Sequence, residues 1–178
     1  MNRPVIFLDF DGVLNTEQYQ ARLAVEGKTN KDAWGPMFDP RAVDNLRRII
    51  DATDAAIVIS SSWRYLHRLG SLRMMWEVRE LPGEIIDTIP CGAAYISRGE
   101  DIEFWLDEHG RPDYVIIDDL DDFFPAQHDC FIEANPIVGI TEADARKAIE
   151  ILTSNAQSNE QRNLNLERLS RSWRHQGT

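Results

Sequence analysis

The sequence predicts an α/β fold, a mostly parallel sheet covered by helices on both faces. Two observations carry that expectation. Short runs of branched apolar residues without an alternating polar face, "VIFLD" over 5–9, "AAIVIS" over 55–60 and "PDYVIIDD" over 112–119, suit strands buried on both sides. These runs alternate with segments of helical periodicity, as strand, helix, strand units require.

Each element follows from local chemistry. Between the first two strands, "DPRAVDNLRRIIDAT" reads as a helix: Asp39 can cap it, Pro40 suits its first turn, and Val43, Leu46, Ile49 and Ile50 make one apolar stripe. "WRYLHRLGSLRMMWEVRELPG" reads as two short helices broken near Gly70 and ended by Pro82 and Gly83. "GEDIEFWLDEHG" places Ile102, Trp105 and Leu106 on one face before the strand that runs into Asp118 and Asp119. "HDCFIEANP" is a short strand, and Thr141 opens a helix carrying Ala145, Ala148, Ile149 and Leu152.

A chain of 178 residues suits one domain with a full core. That domain is expected over 1–152. A polar segment over 153–178 follows, in which Leu166, Leu169 and Trp173 either form a helical stripe or fray. No apolar run is long enough to span a bilayer, and Asp9 interrupts the N-terminal apolar residues too early for a secretory signal, so a soluble cytoplasmic protein without membrane partners is expected. Cys91 and Cys130 lie far apart and suggest neither a disulfide framework nor a zinc site. The net charge of -11 opposes non-specific attraction to nucleic acid or an anionic membrane. Part of it is concentrated in "IIDDLDDF", where a divalent cation would offset it.

Functional groups of a parallel sheet gather beyond the carboxyl ends of its strands. Three predicted strands end in polar clusters: Asp9 with Asp11, Ser60 with Ser61, and Asp118 with Asp119. Singly, each is an ordinary cap or turn. Together on one sheet edge they make a cation-dependent phosphate site the better explanation. Mg²⁺ takes oxygen ligands, typically one or two carboxylates plus a substrate phosphate oxygen, which Asp9 and one of Asp118 and Asp119 can satisfy. A carboxylate of Asp9 could attack phosphorus, Asp11 could protonate the leaving oxygen and then activate water, and serine hydroxyls with nearby backbone amides could hold the phosphoryl oxygens.

The motifs "DFDGVLN", "IVISS", "SRGEDIEFWL" and "VIIDDLDD" resemble those of the haloacid dehalogenase-like (HAD) superfamily, over residues 4 to 152. The resemblance implies a Rossmannoid three-layer sandwich with little or no cap, and a Mg²⁺-dependent phosphatase. It implies Asp9 as nucleophile and metal ligand, and Asp11 as general acid/base whose backbone carbonyl also faces the metal. Ser60 falls at the phosphate, with Ser61 as the neighbouring alternative, Arg98 is the basic third motif, and Asp118 and Asp119 are metal-site acids, Asp119 the favoured direct ligand. Asp122 belongs around them. An acid two residues after the nucleophile implies phosphoryl hydrolysis or transfer. A HAD-fold binding module with little turnover is the rival, and intact Asp9, Asp11, Ser60 and Asp119 argue against it.

"ISSSWR", "RGEDIEFWL" and "NPIVGIT" are further similar to a bacterial and phage HAD subgroup related to domains in multi-part RNA-repair proteins. A phosphorylated partner is expected, and an open cleft admits nucleotides, nucleic-acid ends and phosphoproteins. Ser61, Arg64 and Gly12 are the expected substrate-binding residues, Arg64 through its guanidinium fork. In the structural alternative Arg64 pairs with Asp118 or Asp119 while Trp63 packs under the site. Arg64 and Arg68 are spaced to share a helical face, with Arg73 and Arg79 beyond, either as a solvated face or as the mouth of the cleft, with Tyr65 or Trp76 available for base stacking. His67, His109 and His128 show no metal-ligand spacing.

Overall fold

A computed structural model describes residues 3–91 and 97–154. Five strands, β1 (Val5–Leu8), β2 (Ala56–Ile59), β3 (Ile85–Thr88), β4 (Tyr114–Asp118) and β5 (Phe131–Glu133), form one sheet in the order β3-β2-β1-β4-β5. Every pairing is parallel. The helices are α1 (Glu17–Val25), α2 (Pro40–Thr53), α3 (Leu69–Val78), α4 (Arg98–Glu108) and α5 over 142–154.

Strand alternation builds two cores. Ile6, Leu8, Ile57 and Ile59 pack against Leu46 and Ile49 of α2, Leu72 and Met75 of α3, and Ala145 and Ala148 of α5. Val5, Phe7, Ala56 and Val58 face the other way, onto Ile102, Trp105 and Leu106 of α4, with Phe7 edge-on to Trp105 at 5.4 Å. Helices therefore cover both faces, which is why the strand sequences are apolar throughout.

The predicted caps form. The Asp39 carboxylate accepts from the Arg41 amide at 3.0 Å with Pro40 in the first turn of α2, and Thr141 and Asp144 exchange bonds at the start of α5. At α4, Ser97 and Glu100 make a reciprocal capping box, which fixes Arg98 as the first helical residue.

Several expectations change. The break before α3 falls at residues 66–68, after a 3₁₀ turn over Ser62–Tyr65; Gly70 lies inside α3 with open space around it. Arg64 and Arg68 consequently share no helix face. Strand β3 and helix α1 are additional: β3 is a half-exposed edge strand, and α1 buries only Leu23. Helix α5 runs through residue 154, and the stripe of Leu166, Leu169 and Trp173 lies outside the described residues. Among the described residues no helix is long and apolar enough to cross a membrane, and no insertion forms a second sheet over the strand ends.

Candidate active site

Register sets the site. Leu8 of β1 lies opposite Ile59 of β2 and Ile117 of β4, so Asp9, Ser60 and Asp118 come next on three adjacent strands at one level. The Asp9 amide donates to Ile117 O and the Ser60 amide to Leu8 O, both at 3.0 Å. The sheet order runs outward in opposite directions from β1 and β4, making the crevice between Asp9 and Asp118 the topological switch point of the fold.

Asp9, Asp118 and Asp119 each bring a carboxylate oxygen within 4.8 Å of the others. Asp9 is 4% exposed and Asp118 fully buried. The guanidinium of Arg98 enters this group, hydrogen-bonded to Asp118 and 3.6 Å from Asp9. One guanidinium does not neutralise three acids. Burial pushes the Asp9 carboxyl up against the pull of Arg98, and burial with the Asp9 charge pushes Asp118 up to about 7. Burial raises Asp119 as well. Burial opposes the charge on Arg98, but Asp118 and Asp9 outweigh it and raise its pKa.

Carboxylates that resist ionisation together, with only oxygen donors, fit a hard divalent cation. A second feature fits an oxyanion. The Ser60 hydroxyl is buried and has no hydrogen-bond partner, whereas the Ser61 hydroxyl accepts from the Trp63 amide at 3.4 Å and draws the Asp9 pKa down.

Asp11 sits apart from the three acids, more exposed and held by neutral donors. Asn15 Nδ2 donates to its Oδ1 at 2.7 Å, and Trp63 Nε1 to its Oδ2 at 2.9 Å. The chain leaves β1 through Gly12 at φ 72°, where a Cβ would overlap the Asp119 carboxylate. Glycine thus lets the first acidic loop lie directly against the fourth. The amide of Gly12, expected among the substrate-binding residues, donates to Asn15 O at 2.9 Å, and in the structure Gly12 supplies room and a turn.

Over residues 5–145 the chain matches the family described as the HAD domain in Swiss Army Knife RNA repair proteins. The chain belongs to this family. No curated protein and no solved structure matches it. Membership places it in a superfamily of hydrolases and phosphatases that typically use Mg²⁺, and Asp9, Asp118 and Asp119 form an acidic cluster able to hold a metal ion.

Within the HAD domain, Arg98 owes its place to three contacts. Besides the Ser97 cap, Asp122 accepts from the Arg98 amide at 2.8 Å through its carboxylate and from the Gly99 amide at 3.0 Å through its carbonyl. Asp122 therefore holds the first turn of α4, and Asp121 pairs with His128 at the surface. Neither belongs to the group of Asp9, Asp118 and Asp119.

Arg64 is corrected on both counts. Its guanidinium donates to Ser60 O, Ser61 O, Pro90 O, Tyr65 Oη and Asp101 Oδ2, which engages all five of its donors. Its acidic partner is Asp101 of α4 at 3.0 Å, not Asp118 or Asp119, and both side chains are about 5% exposed or less. No donor remains for a phosphate. Arg64 ties the exit of β2 to the helix that delivers Arg98. Trp76 is buried and bonded to Pro82 O, so it offers no stacking face, while Tyr65 remains exposed. Asn15 and Asp101 were not among the expected site residues. Asn15 carries a usable signal, lying four residues after Asp11 within the first motif; Asp101 carries none, its partner being 37 residues away.

Proposed function

We propose that this HAD domain is a Mg²⁺-dependent phosphomonoester hydrolase that works through an aspartyl-phosphate on Asp9, with nucleotide or nucleic-acid terminal phosphates as substrates. The convergence of Asp9, Asp118 and Asp119 on one buried spot with a single guanidinium among them carries the reading. Asp9, Asp118 and Asp119 would hold the ion, which when bound supplies positive charge to these acids and to phosphoryl oxygens.

The chain's own groups divide the rest. A carboxylate oxygen of Asp9 forms a bond to phosphorus as the ester P–O bond breaks, and Asp11 gives a proton to the departing oxygen. Water then attacks phosphorus, its proton passes to Asp11, and the bond to Asp9 breaks to release phosphate. The Ser60 hydroxyl donates to a non-bridging oxygen, and Arg98 beside Asp9 offsets charge there. The family's link to RNA repair supports the substrate class.

The test is phosphate release from 4-nitrophenyl phosphate and a broad phosphomonoester panel, with and without Mg²⁺, for the wild type, Asp9→Asn and Asp11→Asn. Turnover that needs Mg²⁺ and is lost in Asp9→Asn is expected; no turnover across the panel rejects the enzyme. Competition by 3′- or 5′-phosphorylated oligonucleotides against mononucleotides then ranks the substrates, and indifference to both rejects the nucleic-acid assignment.

A further inference from the structure

We propose that Trp63, together with Asn15, is a positioning residue that aims the Asp11 carboxyl for proton transfer. The inference rests on reading Asp11 as the proton carrier. Asp11 precedes the glycine turn that leaves β1 and is exposed, so burial does not fix the direction of its side chain. Two donors do so, one for each oxygen: Asn15 Nδ2 at 2.7 Å and Trp63 Nε1 at 2.9 Å. A carboxylate oxygen has two lone-pair directions, so each anchor leaves one direction for the travelling proton.

Neither anchor is placed by accident of packing. Asn15 turns its amide nitrogen to Asp11 although its Oδ1 is then buried without a partner. The Trp63 ring is 6% exposed, edge-on to Phe10 at 5.3 Å and against Phe38 at 5.8 Å, and its indole nitrogen still emerges at the acid. Arg79 lies over Phe38 at 4.7 Å and Trp63 at 5.9 Å, and its pairing with Asp32 at 2.7 Å ties the loop over residues 26–38 to the back of the same ring. A Cβ on Gly35 of that loop would come within 2.9 Å of the indole. An indole clamped this firmly holds its hydrogen bond in one direction, which is what orientation of a general acid requires.

A positioning role predicts a dependence on the leaving group that simple packing does not. 4-Nitrophenolate leaves without a proton, whereas the benzyl alkoxide needs one, and kcat/KM spans the step in which it departs. The experiment compares benzyl phosphate with 4-nitrophenyl phosphate for the wild type, Trp63→Phe, Asn15→Ala and Asp11→Asn, alongside thermal unfolding of each. Trp63→Phe keeps an aromatic ring and deletes the donor. Its ratio of kcat/KM for benzyl to nitrophenyl phosphate is expected to fall about tenfold, part of the about 10²–10⁴-fold that a positioned acid contributes, with Asn15→Ala changing in the same direction. If both variants lose equally on both substrates while Asp11→Asn is selective, the anchors only support packing and the inference is wrong although Asp11 is the acid. If Asp11→Asn is itself unselective, the reading of Asp11 fails and the inference with it. Should Trp63→Phe not fold, Asn15→Ala decides by the same ratio.

Discussion

At the amino ends of the strands, Arg3 reaches Glu84 at 2.7 Å and Asp54 at 3.3 Å in side chains open to solvent; at the carboxyl ends, Asp9, Asp118 and Asp119 crowd round Arg98 largely away from it. Both clusters join acids to a single arginine. The first leaves its charges hydrated and costs the fold little, while the second keeps carboxylates where burial makes ionisation unfavourable. A fold selected for stability alone would fill Asp9 and Asp118 with apolar residues, because the surrounding strands already are. Under the proposed function, the carboxyl end gives up stability for chemistry.

That contrast breaks hardest at Asp9. Asp9→Asn keeps the shape, removes the proposed nucleophile and relieves one charge, so turnover is expected to fall at least about 10³-fold while the protein unfolds no earlier than the wild type. A large drop in melting temperature instead would make Asp9 a structural anchor and erase the distinction between the two ends. Asp101→Asn is the complementary case. It strips the buried partner from Arg64, and unfolding in denaturant should show a loss of about 3–5 kcal/mol. Here the buried charge serves structure, since Arg64 fastens the serine loop to α4.

A pH dependence separates the two ends next. Without a cation, carboxyls raised above their ordinary values, Asp118 to about 7, bind more protons folded than unfolded. Stability contributed by these groups is therefore full below about pH 4 and is lost as pH rises through about 7. A bound divalent cation displaces those protons, so its stabilisation should be slight at about pH 5 and approach about 2.7 kcal/mol near pH 8 at a hundred times its dissociation constant. Thermal scans with and without Mg²⁺ at the two pH values measure this. An equal shift at both would place the cation away from the raised acids.

Much of the carboxyl end was legible in advance because its residues announce themselves at strand termini: "VIFLD", "AIVIS" and "YVIID" are runs that only a doubly covered parallel strand explains, and each stops at a polar group. Arg98 was legible through the resemblance of "SRGEDIEFWL" to a basic third motif. Strand β3 was not, since "IIDT" is four residues long, half-exposed, and follows Pro82 and Gly83, which read as an ending. Helix α1 buries too little to leave a stripe. Arg64 was read as a phosphate ligand or as the partner of Asp118 or Asp119 because a sequence displays a guanidinium without its acceptors, and its acidic partner Asp101 and the Pro90 carbonyl lie 37 and 26 residues away. Partners distant in sequence, rather than residue types, were what could not be read.

The smallest effect belongs to the amino end and tests the contrast from its other side. Arg3→Gln removes ion pairs to Asp54 and Glu84, whose side chains are 87% and 65% exposed, so water replaces most of what the arginine supplied. The expected loss is about 0.5 kcal/mol or less by denaturant unfolding, with turnover and the Mg²⁺-induced thermal shift unchanged. Arg3 Nε also donates to the Asp54 carbonyl at 2.6 Å, at the left-handed residue that ends α2, and glutamine keeps an amide donor for that acceptor. A loss of several kcal/mol would mean that this cluster braces the turn from α2 into β2 and so sets the height of Ser60. In that case the two ends would be mechanically joined, and charge at the amino edge would matter to the chemistry at the other.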